Sequence, residues 1–312
     1  MRGGGNTSTI ERLEFTYTGQ YNERLEDGVV ELLTDGVLKF KKETPIDAFL
    51  VGGGSSGSSG RTEKYNANTY GAGGGAGGYT KTLINIVPRV NQDYQIVIGS
   101  GGVQQSNNLS VGNAGGDTSA FGATANGGGV FETTQTIYKW AGGAPGGSGG
   151  GQGGETQNAT RDGFYGGNDG SDGIYNDARY KSTGQGTTTR EFGESTGKIY
   201  AGGGGGGSSI YGAGSSNGGV GGDGGGGNGA GYSANATAGA PNTGGGGGGG
   251  AGNTSDIGVE RGIGAAGGSG IVCIRLHKEV QGLEFTYTGD YIEREEDGVV
   301  ELLSSGNITF PR

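Results

Sequence analysis

The chain has 312 residues, of which 82 are glycine and only 30% are hydrophobic, and its formal net charge at pH 7 is −10. A single large apolar core cannot hold a chain of this composition, and so much glycine favours disorder unless backbone hydrogen bonds order it. The absence of a strict Gly-X-Y period, with only five prolines, excludes collagen. The acidic charge balance leaves no basic stripe for phosphates, so we expect no nucleic-acid partner.

The sequence is bracketed by two copies of a 28-residue repeat. Residues 13–40 align without gaps to residues 283–310, and 20 of the 28 positions are identical. Each copy has the pattern of short strands separated by turns, with Asp27-Gly28 and Asp297-Gly298 as hairpin signals. A unit of this size buries too little surface to fold well alone. We therefore expect each copy to dock on the central region, on its twin or on another subunit.

The region between the repeats alternates strand patterns with blocks of glycine. Four stretches have the composition of β-strands, namely residues 48–51, 82–87, 94–98 and 271–276. We expect the last of them to pair near the first. The main glycine blocks are residues 52–54, 73–78, 202–207, 221–227 and 244–250.

Blocks of glycine separated by strands predict a particular kind of packing. Without Cβ atoms, segments in the polyproline-II conformation can lie almost in van der Waals contact and exchange backbone hydrogen bonds with several neighbours. The predicted fold class is therefore all-β with a glycine-rich, polyglycine-II-like slab and flanking small β repeat units. The predicted domains are 1–45 (β repeat unit), 46–276 (glycine-rich domain) and 277–312 (β repeat unit).

The central region resembles the glycine-rich domain of phage tail-fibre and tail-tip proteins. The resemblance covers residues 46–276 and rests on residues 46–54, 77–82, 94–99, 115–121, 125–128 and 268–272. The glycine blocks are also similar to those of the polyglycine-II receptor-binding adhesins of T-even-like phage long tail fibres, whose distal loops touch the host. The terminal repeats depart from the adhesin pattern, so the attachment mode of those adhesins does not transfer directly.

The resemblance implies a place and a set of partners. We expect a virion (tail) or extracellular protein that binds a host surface glycan or protein, contacts other tail subunits and forms a homo-oligomer. The first residues contain no apolar signal-peptide core, and no apolar stretch approaches the 18 residues of a membrane span. We therefore expect neither export by a signal peptide nor membrane insertion, as for a virion protein that is released by lysis.

No residue pattern predicts catalysis or a cofactor. The sole histidine, His277, ends the last strand of the central region, and no nucleophile and base can be assembled without it. Cys273 lies in an apolar run, which is typical of a buried structural thiol. Asp169 and Asp172 leave a calcium site open, although their spacing misses the EF-hand loop and such residues also make tight turns. We expect a non-enzymatic protein without a cofactor.

The aromatic residues between the glycine blocks are the candidate binding residues. Tyrosine among Ser, Gly and Asn is the composition of antibody binding loops, where a stiff ring provides contact area at low entropic cost. The predicted receptor-binding residues are Tyr138, Trp140, Phe164, Tyr165, Tyr175, Tyr180, Tyr211 and Tyr232. The alternative for each ring is that it caps the end of the glycine bundle. For the whole chain, the alternatives to receptor binding are a purely structural, fibre-forming or subunit-joining module and a bacterial surface adhesin.

Overall fold

A computed structural model describes residues 12–60, 70–106, 110–131, 143–154, 162–176, 178–209, 216–252, 262–277, 286–294 and 299–309. These ranges contain β-strands, extended glycine-rich segments and two short 3-10 helices, and no α-helix, which confirms the all-β fold class. None of these helices is long and apolar enough to cross a membrane. The chain forms two compact units, Met1–Leu276 and His277–Arg312.

Antiparallel strands form the framework of the first unit. Its strands are β1 (Phe15–Tyr17), β2 (Tyr21–Arg24), β3 (Val29–Leu32), β4 (Gly36–Phe40), β5 (Ile46–Val51), β6 (Thr80–Ile86), β7 (Tyr94–Ile96), β8 (Thr118–Ala120), β9 (Ala123–Ala125) and β10 (Ile271–Leu276). They make a three-stranded sheet in the order β1-β4-β7, a five-stranded sheet in the order β2-β3-β10-β5-β6, and the hairpin β8-β9.

The expected pairing of the last central strand with the first is confirmed. Strand β10 runs antiparallel to β5, with Ile271 opposite Val51 and Leu276 opposite Ile46. On its other edge, β10 pairs with β3, so that Val272 lies opposite Leu32. The N-terminal repeat therefore docks on the central region, and residue 45 marks no boundary between compact units.

Both faces of the five-stranded sheet are covered. Side chains alternate between the two faces along a strand, and all six residues of β5 are buried. On one face, Ile46, Ala48 and Leu50 of β5 lie in a core with residues of the three-stranded sheet. On the other face, Phe49 and Val51 pack against a second cluster from residues 192–201. Burying side chains of this size contributes about 1.5–3 kcal/mol each, which stabilises the β framework from which the glycine segments extend.

The glycine segments form the expected slab, and residues 244–252 show its geometry. Every third N–H group of this segment donates to every third carbonyl of a neighbouring segment. In one such row, the donors Gly246, Gly249 and Gly252 pair with the acceptors Gly202, Gly205 and Ser208 at 2.8–2.9 Å. A step of three residues is the turn of a polyproline-II helix, in which the three faces of the backbone point to different neighbours.

Residues 54–60 repeat the triplet Gly-Ser-Ser, which has the same period of three residues. In residues 54–60, Gly54, Gly57 and Gly60 face the segment 244–252, because a Cβ atom on any of them would overlap a carbonyl group of that segment. The serines between them are buried on the other faces. Their hydroxyls accept hydrogen bonds from the backbone N–H groups of Ala76, Asn113, Gly112 and Gly264. Glycine is thus required on the closest face, and serine fits on the others.

The second unit has the strand pairing of the N-terminal repeat. Its strands are β11 (Thr286–Tyr287), β12 (Tyr291–Arg294), β13 (Val299–Leu302) and β14 (Ile308–Thr309). Tyr287 pairs with Ile308 as Tyr17 pairs with Leu38, the equivalent positions of the first copy. The pairing of β12 with β13 likewise keeps the register of β2 with β3.

Candidate binding surface

One group of the predicted aromatic residues lies on segments that the slab holds by backbone hydrogen bonds. The N–H groups of Gly163 and Gly166 donate to Asn217 and Val220 at 2.9 and 3.0 Å. On the opposite side, the N–H group of Ile174 donates to the carbonyl of Tyr165 at 3.0 Å. Residues 162–167 therefore lie between the segments that carry Val220 and Ile174.

Large apolar side chains are exposed on all three of these segments. The exposed fractions are 60% for Tyr165, 51% for Ile174, 37% for Tyr175 and 54% for Val220. We call these four residues the Tyr165 surface. Exposed apolar side chains on neighbouring segments of a rigid framework are candidates for an interaction site.

The segment that carries Ile174 and Tyr175 is fixed by a buried amide. Gln152 is fully buried, and its side-chain amide donates to Asn176 Oδ1 at 2.8 Å. In return, Gln152 Oε1 accepts a hydrogen bond from the backbone N–H of Asn176 at 3.0 Å. No sequence pattern indicates this role, because one glutamine between glycines resembles any other polar loop residue.

A polar border lies beside the aromatic rings. Lys181 Nζ is 3.2 Å from Asp172 Oδ2, and the Asp172 carboxylate also accepts a hydrogen bond from the N–H of Gly184 at 2.9 Å. The hydrogen bond to Asp172, together with the charges of Asp172 and Tyr175, raises the pKa of Lys181 above its ordinary value. Asp172 precedes Ile174 and Tyr175 on the same segment, so its ion pair with Lys181 gives the Tyr165 surface a polar edge.

The structure separates the remaining predicted binding residues. Phe164 is half-buried, its N–H donates to Gln152, and its carbonyl accepts from Gly206, both at 2.9 Å. Tyr232 is 43% exposed, and its N–H donates to the carbonyl of Ser216, at the end of the segment that carries Val220. Tyr138, Trp140 and Tyr211 lie outside the described residues.

Tyr180 requires a correction. Its side chain is only 1% exposed and packs against Phe131. A ring enclosed in this way offers no surface to a receptor, so Tyr180 is a packing residue and is not part of the exposed surface. Its place in a tyrosine-rich loop could not distinguish these two roles.

Asp169 and Asp172 serve the protein's own loops. The Asp169 carboxylate accepts hydrogen bonds from Thr188 Oγ1 at 2.6 Å, from the N–H of Thr189 at 2.9 Å and from Arg190 Nε at 2.9 Å. Although burial acts in the opposite direction, these bonds hold the pKa of Asp169 below its ordinary value. In the ranges that the structure describes, no group of three or more His, Cys, Asp or Glu residues could hold a metal ion. The two carboxylates fix turns, and the calcium hypothesis gains no support.

Cys273 is fully buried in β10, as its apolar surroundings in the sequence predict. Burial raises the pKa of its thiol well above the ordinary value, and the nearby charge of Glu191 adds to the effect. The Sγ atom lies 3.7 Å from the hydroxyl of Tyr200. A thiol that stays protonated and enclosed is a poor nucleophile.

The comparison with known families agrees with this architecture. Residues 35–277, which are more than half of the chain, match the glycine-rich domain family. The chain therefore belongs to that family. The matched region begins at β4 of the N-terminal repeat, which pairs with β7 of the central region. The search of curated proteins returned no significant match.

Proposed function

We propose that this protein is a structural and receptor-binding component of a phage tail or a tail-like particle, and that the Tyr165 surface contacts a glycan or protein of the host cell. The observation that carries the proposal is the exposure of Tyr165, Ile174, Tyr175 and Val220 on three hydrogen-bonded segments. Recognition residues commonly lie on loops that a rigid scaffold positions.

The backbone geometry favours binding with a small entropic cost. The segment with Tyr165 is hydrogen-bonded on both sides, and the segment with Tyr175 is held by Gln152. Because these groups are already ordered, binding need not restrict their backbones further, which is the advantage of a preorganised surface. Tyrosine rings suit either target class, since they stack on apolar faces and donate a hydrogen bond from the hydroxyl.

The resemblance to tail-fibre proteins supports the rest of the proposal. On its basis, we propose a location in the virion tail or outside the cell, contacts with other tail subunits, no nucleic-acid partner and no catalytic role. Several copies on one particle would strengthen attachment, since linked binding sites raise the effective concentration of the second contact.

A binding assay with matched variants tests the proposal. Fluorescently labelled protein is titrated onto cells of a bacterial host-range panel, with the variants Tyr165→Ala and Tyr175→Ala. A central aromatic anchor contributes ~2 kcal/mol or more, so we expect each variant to bind at least tenfold more weakly at an unchanged Tm. Val103→Ala is the control, because Val103 is 69% exposed and lies outside the Tyr165 surface.

The same assay can instead support the alternative, a structural module that joins subunits and binds no receptor. If both tyrosine variants bind like the wild type while substitutions in the terminal repeats abolish attachment, the receptor-binding proposal is wrong. The protein would then act as a subunit-joining module.

A further inference from the structure

The N-terminal copy of the repeat shows how a repeat unit docks on a glycine-rich domain. Its strand β3 lies between β2 and β10, so one edge of the repeat is completed by a strand of the glycine-rich domain. The repeat also buries apolar side chains in the shared core. Val30 is 5% exposed, Phe40 is 1% exposed, and Leu32 and Leu38 are fully buried. Docking therefore uses a strand edge and an apolar face together.

The C-terminal repeat keeps the residues at these positions. The equivalents of Val30, Leu32, Leu38 and Phe40 are Val300, Leu302, Ile308 and Phe310. The charged positions Arg24 and Glu31 are also kept, as Arg294 and Glu301. A repeat that needed no partner would have no reason to keep a docking set of this kind.

Seven of the eight differences between the copies avoid the buried docking positions. The eight positions that differ are those of Gln20, Asn22, Leu25, Thr34, Asp35, Val37, Leu38 and Lys39 in the first copy. In the docked first copy, Leu38 alone of these is buried. Its replacement in the second copy is isoleucine, which has the same volume and polarity. The buried docking face is therefore kept, whereas two exposed contacts beside it are not. In the first copy, the Asp35 carboxylate accepts a hydrogen bond from the N–H of Ile98 at 2.7 Å, and Lys39 pairs with Asp93 at 2.8 Å. Both residues differ in the second copy.

Among the described residues, no strand pairs with the C-terminal copy as β10 pairs with the N-terminal copy. In the part of the chain that the structure describes, β13 pairs only with β12, in a two-stranded sheet. A two-stranded hairpin is at best marginally stable in water, and an open strand edge is a template for another strand.

We propose that residues 283–310 dock on a glycine-rich domain of another polypeptide by strand addition. Val299–Leu302 pairs there with a strand equivalent to β10, as Val29–Leu32 pairs with β10 in this chain. This role is independent of receptor binding by the Tyr165 surface, so either can fail without the other.

The partner is a domain whose equivalent edge is free. In a second copy of this chain, β3 already occupies that edge through Val30, Glu31 and Leu32. Only residues 41–45 separate β4 from β5, and such a short connection keeps the N-terminal repeat at a high local concentration, on the order of mM. Free C-terminal repeats at micromolar concentration do not displace it. The partner domain also needs an acidic group where Glu191 meets Arg24, to receive Arg294.

A full-length chimera tests whether the C-terminal copy can dock. The eight differing residues of the N-terminal copy are replaced by those of the C-terminal copy, so that both copies have the sequence of 283–310. We expect the Tm of the chimera to remain within about 4 °C of the wild type, which corresponds to roughly 1 kcal/mol or less. A loss of cooperative unfolding, or a fall of more than about 10 °C, would overturn the inference.

A second pair of full-length variants tests docking between chains. Val30→Asp places a charge in the shared core and frees the β10 edge, so the C-terminal repeat of another molecule can occupy it. At 50 μM we expect Val30→Asp to have at least twice the wild-type mass by light scattering, and Val30→Asp/Val300→Asp to have the wild-type mass. Equal masses for the two variants would contradict docking through β13. A folded, monomeric Val30→Asp variant would mean docking within one chain, which also contradicts the proposal.

Discussion

Arg24 Nη2 lies 2.6 Å from Glu191 Oε2, and this ion pair joins the N-terminal repeat to a loop 167 residues further along the chain. Both side chains are largely enclosed, with exposed fractions of 15% and 7%. The other oxygen of Glu191 accepts a hydrogen bond from the hydroxyl of Tyr200 at 3.2 Å. Although burial lowers the pKa of Arg24, the hydrogen bond and charge of Glu191 raise it, so the guanidinium stays charged.

Glu191→Gln should be strongly destabilising. The substitution keeps the shape of the side chain but leaves the enclosed guanidinium of Arg24 without its closest anion. Removing one partner of a buried pair costs about 3–5 kcal/mol where the other charge is left alone. Arg24 keeps Asp27 at 3.3 Å and Glu31 at 3.6 Å, so we expect a smaller loss of roughly 2 kcal/mol of unfolding free energy in urea. Glu194→Gln is the matched control in the same loop. Its carboxylate is 42% exposed, and its pair with Arg275 should contribute less than about 1 kcal/mol. Equal losses for the two variants would contradict this assignment.

Gly247→Ala should disrupt the slab, whereas Gly116→Ala should be tolerated. A Cβ atom on Gly247 would overlap the carbonyl groups of Ala265 and Ala266, which belong to the backbone and cannot rotate away. At Gly116 the nearest atom would be the backbone nitrogen of Ser100 at 3.0 Å, so a small shift suffices. We expect a loss of more than about 3 kcal/mol for Gly247→Ala and less than about 1 kcal/mol for Gly116→Ala, by thermal or urea unfolding. Gly247→Val should be at least as damaging.

Amide hydrogen exchange should be slow across the glycine blocks. Between residues 246 and 250, every N–H group donates to a carbonyl of another segment, at 2.9–3.0 Å. Exchange of these amides requires the slab to open, so their protection should approach that of strand β5. Uniformly fast exchange over residues 202–207 and 244–250 would show that the blocks are disordered in solution.

The sequence predicted the framework because strand patterns and glycine blocks act locally. The run at residues 271–276 was recognisable as a strand, and its pairing near residues 48–51 is confirmed. Strand ends were less certain, since β6 is Thr80–Ile86 and the pattern predicted residues 82–87. The polyglycine-II packing also followed from composition, because only residues without Cβ atoms permit such close backbones.

The details of the binding surface depend on contacts between distant residues. Tyr180 and Tyr175 stand in the same kind of loop, yet Phe131 covers the first and leaves the second exposed. Whether Tyr180 or Tyr175 is covered depends on where Phe131, some 50 residues earlier in the chain, packs. The composition of the loop itself cannot predict this contact. The docking of the N-terminal repeat was likewise one of three open alternatives. The pairing of β3 with β10 shows that the N-terminal repeat docks on the central region.

Tyr17 gives a prediction at high pH. Its hydroxyl donates a hydrogen bond to the carbonyl of Thr34, and burial, together with the charge of Asp35, raises the pKa of Tyr17 from 10.0 to about 12. The folded state therefore favours the neutral phenol. The resulting stability is fully present below pH 10 and is lost as the pH rises through about 12.

The variant Tyr17→Phe isolates this effect, since it cannot ionise at this position. At pH 8 the wild type should be more stable than the variant by about 1 kcal/mol, the contribution of one hydrogen bond. Between pH 10 and pH 12 this difference in unfolding free energy should fall through zero and change sign, because only the wild type must keep a phenol neutral there. Urea denaturation at pH 8, 10, 11 and 12 measures the difference, with Tyr232→Phe as a control at an exposed tyrosine. A difference that stays constant over this range would show that Tyr17 ionises as readily in the folded protein as in the unfolded chain.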